Sequence, residues 1–134
     1  MIEEDITTEQ VSPRWFIDFN WYQENSRSFF ALAQTSLCAK CRKQLKEGEI
    51  SADDILATIR DCCSKNPAFI TDRLPILESI FRLFLANGNQ PLGLEELGEQ
   101  LREWRSGDTY RTSAEVLSCL LNSDQCYGLR QAPD

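Results

Sequence analysis

Apolar positions along this chain recur mostly at helical spacing, in short blocks separated by polar or Gly/Pro-containing breaks. The run Arg14-Trp15-Phe16-Ile17-Asp18-Phe19-Asn20-Trp21-Tyr22 is its most aromatic patch. Aromatic side chains bury the largest area per residue, so this patch is expected to pack on the rest, as a short extended stretch or the lead-in to a helix. Asn20 is a candidate N-cap. Phe29, Leu32 and Ala33 keep helical spacing and predict a helix from Trp21 to Thr35. A Cys38-Ala39-Lys40-Cys41 turn follows, then the polar stretch Arg42 to Gly48. Ser51 with Asp54 forms a capping-box pattern. Behind it Ile55, Leu56, Ile59, Cys62 and Cys63 fall at offsets 0, 1, 4, 7 and 8, one face of a helix that Asn66-Pro67 ends.

The second half is more regular. Pro75 sits at the opening of a helix with Ile76, Leu77, Ile80, Phe81 and Phe84 on one face, stopped at Asn87-Gly88-Asn89 with Gly88 as the left-handed residue. Pro91-Leu92-Gly93-Leu94 reads as a short extended link. Glu95 and Glu96 occupy the first turn of a helix whose Leu94, Leu97, Leu101 and Trp104 share a face, and Ser106-Gly107-Asp108 breaks it. Thr112 or Ser113 caps a last helix with Val116, Leu117, Leu120 and Leu121 expected inward. A turn at Asn122-Ser123-Asp124 leads into a candidate strand, Cys126-Tyr127-Gly128-Leu129-Arg130.

Helix, extended link, helix, loop, helix, turn and strand, with Gly88, Pro91-Leu92, Glu95-Glu96-Leu97, Thr112-Ser113 and Asp124 at their junctions, resembles a winged-helix domain. The type is that of the delta subunit of bacterial RNA polymerase. The resemblance implies that the link pairs with the strand after the third helix. The fold expected is thus mostly α: a helical, cysteine-bearing module (14–72) packed on a winged-helix-like three-helix unit (73–131) with a minimal two-strand β element. Acidic residues 1–13 and residues 132–134 are read as tails. Winged helices that read DNA supply basic or amide side chains from the third helix. Here Ser113-Ala114-Glu115-Val116-Leu117-Ser118-Cys119-Leu120-Leu121-Asn122 has one acid and no base, with only Arg111 and Arg130 nearby. That composition favours a protein-docking or structural role, whereas Arg102 and Arg105 around Trp104 read as a solvated face.

Charge narrows the partners. The net charge is −7, which repels nucleic acid at long range. Every lysine (Lys40, Lys43, Lys46 and Lys65) lies in or beside the cysteine region. A nucleic-acid contact would therefore use Lys40, Arg42, Lys43 and Lys46, with Arg60. Apolar runs are too short for a membrane span, and Met1-Ile2-Glu3-Glu4-Asp5 lacks the features of a secretory signal, so a cytoplasmic protein is expected.

Chemistry concentrates in the cysteines. Six in 134 residues is a high count, and inside a cell such spacing more often means metal or redox chemistry than disulfides. Cys38 and Cys41 have the separation with which a tight turn aims two thiolates at one ion, and Cys62-Cys63 supply a second pair. That pair departs from the usual pattern because its members are adjacent. On a helix they diverge by about 100°, so sharing an ion requires a distorted helix end. Zinc held by Cys38, Cys41, Cys62 and Cys63 is the leading reading. A three-cysteine site completed by Cys119, Cys126 or a carboxylate, plain core packing, and a redox or iron–sulfur centre stay open. Otherwise Cys119 and Cys126 are read as core and edge-strand residues. Without histidine or a phosphate loop, the chain reads as a non-enzymatic adaptor or regulatory protein that binds another protein. The alternatives are a nucleic-acid-binding regulator and a thiol redox protein.

Overall fold

The computed structural model of the protein describes residues 13–45, 51–105 and 112–133. The aromatic patch opens as strand β1 (Arg14–Ile17), whose alternate residues Trp15 and Ile17 are buried, as a two-residue side-chain period requires. Helix α1 (Phe19–Glu24) starts two residues earlier than Asn20 would place it. Asp18 is in extended backbone and its carboxylate accepts the Asn20 N–H at 3.0 Å, so Asp18 is the cap. The single helix predicted from Trp21 to Thr35 is two. Asn25, Ser26, Arg27 and Ser28 interrupt it, Ser26 at φ 54°, and the Ser28 hydroxyl accepts the Ala31 N–H to cap α2 (Phe29–Ala33). Short polar side chains here compete with helical hydrogen bonding, which apolar spacing alone does not reveal.

A 3₁₀ turn (Gln34–Ser36) leads to α3 (Ala39–Gln44). Ser51 and Asp54 form the expected capping box on α4 (Ala52–Asp61), and a second 3₁₀ turn, Cys63–Lys65, follows. The three longer-patterned segments become α5 (Ile76–Ala86), α6 (Leu94–Trp104) and α7 (Ala114–Asn122), with β2 (Leu92–Gly93) before α6 and β3 (Leu129–Gln131) at the end. Gly88 takes φ 76° as read, with Asn89 also left-handed at 62°. The segments Lys46 to Gly48 and Ser106 to Asp108, and Arg111, lie outside the described residues, as does the acidic tail up to residue 12.

The sheet has three antiparallel strands in the order β2-β1-β3, not two. β1 lies between the link and the final strand, with Trp15 opposite both Leu92 and Gln131. The aromatic patch thus completes a sheet whose other strands lie some 75 residues and more downstream, a pairing that no local pattern encodes. Asn89 extends it: its side chain accepts the Ile17 N–H at 2.8 Å and donates to the Ile17 carbonyl at 2.9 Å. Trp15, Trp21 and Tyr22 are buried, so the aromatic segment packs on the rest as its composition predicts.

Around the sheet, Ile80, Phe81, Phe84, Leu97, Leu101 and Leu117 form a fully buried centre, continuous with Ile55 and Ile59 of α4. Ser113 caps α7. Leu117 and Leu121 face inward and Leu120 is half-buried, but Val116 is exposed. It sits about 100° from Leu117, outside the apolar stripe. The final strand starts at Leu129, later than Cys126, because the buried Asp124 carboxylate accepts the N–H groups of Cys126, Tyr127 and Leu129 and bends the chain. Gly128 is needed there. Its φ is 69°, and a Cβ would lie 2.8 Å from the Tyr22 ring and 2.9 Å from that of Trp21. Tyr22 itself donates to the Tyr127 carbonyl at 2.6 Å, and burial followed by the Asp124 charge raises its pKa.

Arg105 reverses its expected place on a solvated face. It is 1% exposed and donates to the carbonyls of Thr71, Asp72 and Leu74 and to the Ser79 hydroxyl, locking the end of α6 to the approach of α5. Arg82 on α5 donates to Phe69 O at 2.8 Å and Thr35 O at 3.4 Å, and pairs with Glu78 at 3.0 Å, linking α5 to the loop before it and to the 3₁₀ turn before α3. Among the described residues, no helix is long and apolar enough to cross a membrane.

Candidate metal centre

Cys38 ends the extended backbone before α3 and is its N-cap residue, while Cys41 lies one turn on, on the buried face of the same helix. Residues three apart on a helix share a side, so the Cys-x-x-Cys spacing aims both sulfurs alike. The second pair arrives by a break. α4 stops at Asp61, earlier than Asn66-Pro67, and Cys62 leaves helical backbone with φ −129° and ψ −66° before Cys63 begins the 3₁₀ turn. That departure removes the divergence of adjacent helical side chains. All four sulfurs lie within 4.8 Å of one another. Cys38 Sγ and Cys62 Sγ are 3.9 Å apart, and the Cys38 backbone N–H donates to Cys63 Sγ at 3.2 Å.

The donor set fits a soft, tetrahedral ion. Four sulfurs at 2.3 Å from a common centre are separated by about 3.8 Å, close to the spacing seen. Among the described residues no other group of three or more cysteine or carboxylate side chains converges in this way. The site is layered: Cys41 and Cys63 are buried at 4% and 2% exposure, and Cys38 and Cys62 are half-buried. Its electrostatics follow the layering. The Cys41 backbone N–H, then its thiol, hold the Cys38 pKa down at about 7, and burial pushes those of Cys41 and Cys63 up. A cation at the centre would offset the burial that disfavours the Cys41 and Cys63 thiolates.

Cys119 and Cys126 are exposed and stand outside this cluster, neither core nor strand residues, so Cys63 completes the set and no outside fourth ligand is required. Of the basic candidates, Lys40, Arg42 and Lys43 are exposed on α3 beside the sulfurs, with Arg42 donating to the Leu37 carbonyl at 3.2 Å. Arg60 is on another helix, paired with Asp61 at 3.0 Å, and Lys46 lies outside the described residues. Sequence reasoning missed the Arg105, Arg82 and Asn89 links. The Asn87-Gly88-Asn89 run marked a turn but carried no sign that one amide would complete a strand.

Comparison with protein-family models, with curated proteins and with solved structures gives no match to this chain. The four-thiol cluster, which can hold a metal ion, is therefore the feature on which a functional reading stands.

Proposed function

We propose that the protein is a small non-enzymatic adaptor or regulatory protein, with a zinc-stapled first half and a winged-helix-like C-terminal unit that docks another protein. The convergence of four sulfurs within 4.8 Å carries the reading. Two features of this chain call for a staple. α1, α2 and α3 have six, five and six residues, far below the ~12–15 that an isolated helix needs even in favourable sequences. The thiols also bring the start of α3 against the end of α4, with Cys38 and Cys62 Sγ 3.9 Å apart. Zinc suits four thiolates and brings no redox chemistry of its own, so its role here is architectural. The docking part is supported by α7, which has no cation and leaves Ala114, Glu115, Val116 and Cys119 exposed.

Metal analysis of protein purified without chelator tests the staple. One zinc per chain is expected, with two of the six thiols, Cys119 and Cys126, freely reactive. Metal-free protein with all six thiols reactive overturns it. Electrophoresis with DNA and RNA at low salt tests the choice of partner. Unchanged mobility is expected, and a salt-sensitive shift abolished by Lys40→Glu with Lys43→Glu would assign the α3 face to nucleic acid instead.

A further inference from the structure

The cluster is asymmetric in a way that zinc binding alone does not require. One cysteine from each side of the site, Cys38 before α3 and Cys62 after α4, is half-buried, and their sulfurs are 3.9 Å apart. Their companions Cys41 and Cys63 are 4% and 2% exposed. A solvent-borne oxidant therefore meets first a pair that bridges the two elements, not a pair within one element.

We propose that Cys38 and Cys62 form a reversible disulfide under peroxide, exchanging the metal staple for a covalent one across the same two elements. This rests on the metal-binding reading for the ion that is released, though not for the choice of sulfurs. In the first step one of the two thiolates attacks hydrogen peroxide. The O–O bond breaks, the sulfur becomes a sulfenic acid and the departing hydroxide takes a proton to become water. In the second step the other thiolate attacks that sulfur, the S–S bond forms, and a second hydroxide leaves and is protonated. Two electrons pass from the two sulfurs to one peroxide, two protons are consumed, and the ion's oxidation state is unchanged.

Geometry favours this pair over its rivals. Bringing the sulfurs from 3.9 Å to bonding distance needs a closure of about 1.9 Å. Every rival pairing uses Cys41 or Cys63, residues only 4% and 2% exposed, and Cys38–Cys41 or Cys62–Cys63 would in addition lie within one side and tie nothing together. With two thiolates consumed, Cys41 and Cys63 are too few to retain a tetrahedral ion, so release accompanies oxidation while the cross-link keeps α3 on α4. The exposed Cys119 and Cys126 stand apart from this chemistry.

The test uses the full chain carrying Cys119→Ser and Cys126→Ser, which leaves four cysteines. Zinc is counted first. A chain without zinc overturns the proposed staple, and the sulfur pairing is then decided on that same metal-free chain. Hydrogen peroxide is added, released zinc is followed with a chromogenic chelator, and peptides are mapped by mass spectrometry without reduction. Expected are a dominant Cys38–Cys62 linkage within a monomer, release of about one equivalent of zinc from a loaded chain, recovery of both on adding dithiothreitol, and a far-UV circular dichroism signal that stays at its starting level. A dominant linkage of any other pair among the four, linkage between chains, zinc retained by the cross-linked protein, or collapse of the helical signal on oxidation each overturn the inference.

Discussion

The two halves of this molecule solve the same problem by different means. From α5 onward the chain has helices of 11, 11 and 9 residues with apolar stripes, and its loops are tied by buried polar groups. Asp124 holds three N–H groups, Arg105 binds three carbonyls and Asn89 completes a strand. Before α4, helices of five and six residues bury one or two side chains each, Trp21 and Tyr22 on α1, Ala33 on α2 and Cys41 on α3, and rely on their neighbours. The ties there include four converging thiols, the reach of Arg82 from α5 and the Tyr22 hydroxyl on the Tyr127 carbonyl. A region with long stripes stabilises itself by packing, with hydrogen bonds fixing its loops. One with short helices needs a strong local bond, which a metal ion held by the four thiols, as proposed, would supply. β1 crosses this division, since it comes from the short-element half yet is the central strand of the other half's sheet.

The comparison breaks most visibly if the metal is taken away. Structural zinc sites carry about 10–16 kcal/mol of apparent binding energy in small peptides. Chelation is expected to speed amide exchange in α3 and the last turn of α4 by at least about 100-fold, with much smaller changes in α5 and α6. Uniform acceleration along the chain would show that the halves open together. Next is Asp124→Ala, which orphans three N–H donors and is expected to cost about 3 kcal/mol in urea unfolding while zinc content is unchanged. Arg105→Met keeps the volume but leaves the carbonyls of Thr71, Asp72 and Leu74 without this donor, for an expected loss of about 2–3 kcal/mol by the same measurement. Ser51→Ala removes half of a capping box at an exposed helix start and is expected to cost about 1 kcal/mol. At the small end, Cys119→Ser with Cys126→Ser is expected to shift stability by less than about 0.5 kcal/mol and leave bound zinc at one per chain. Loss of metal from that variant would bring one of these residues into the site.

Much of the helical outline was legible because it is local. The Ser51–Asp54 box, Gly88 at its left-handed turn, Glu95 and Glu96 in a first turn, and Leu117 and Leu121 facing inward all follow from spacing and capping chemistry within a few residues. Val116 was misplaced because an apolar residue at the margin of a helix stripe looks the same in sequence whether or not a neighbouring element covers it. Arg105 was misread because a guanidinium next to a tryptophan looks the same in sequence whether it meets water or a ring of carbonyls. The four thiols and their meeting at one point were the leading reading of the spacing, while the backbone break at Cys62 that lets adjacent sulfurs converge was legible only as a requirement.

By itself the amino-acid sequence determined where helices could start and stop, which faces were apolar, and that four thiols came as two pairs, since these depend on neighbours a few positions away. Tertiary structure alone decided that β1 enters between β2 and β3, that Arg105 and Asp124 are buried latches, and that Cys62 leaves the helix so that adjacent sulfurs meet the distant pair. Those outcomes require segments tens of residues apart to come together, and the free energy that selects them comes from burial and hydrogen bonding that exist only once they have.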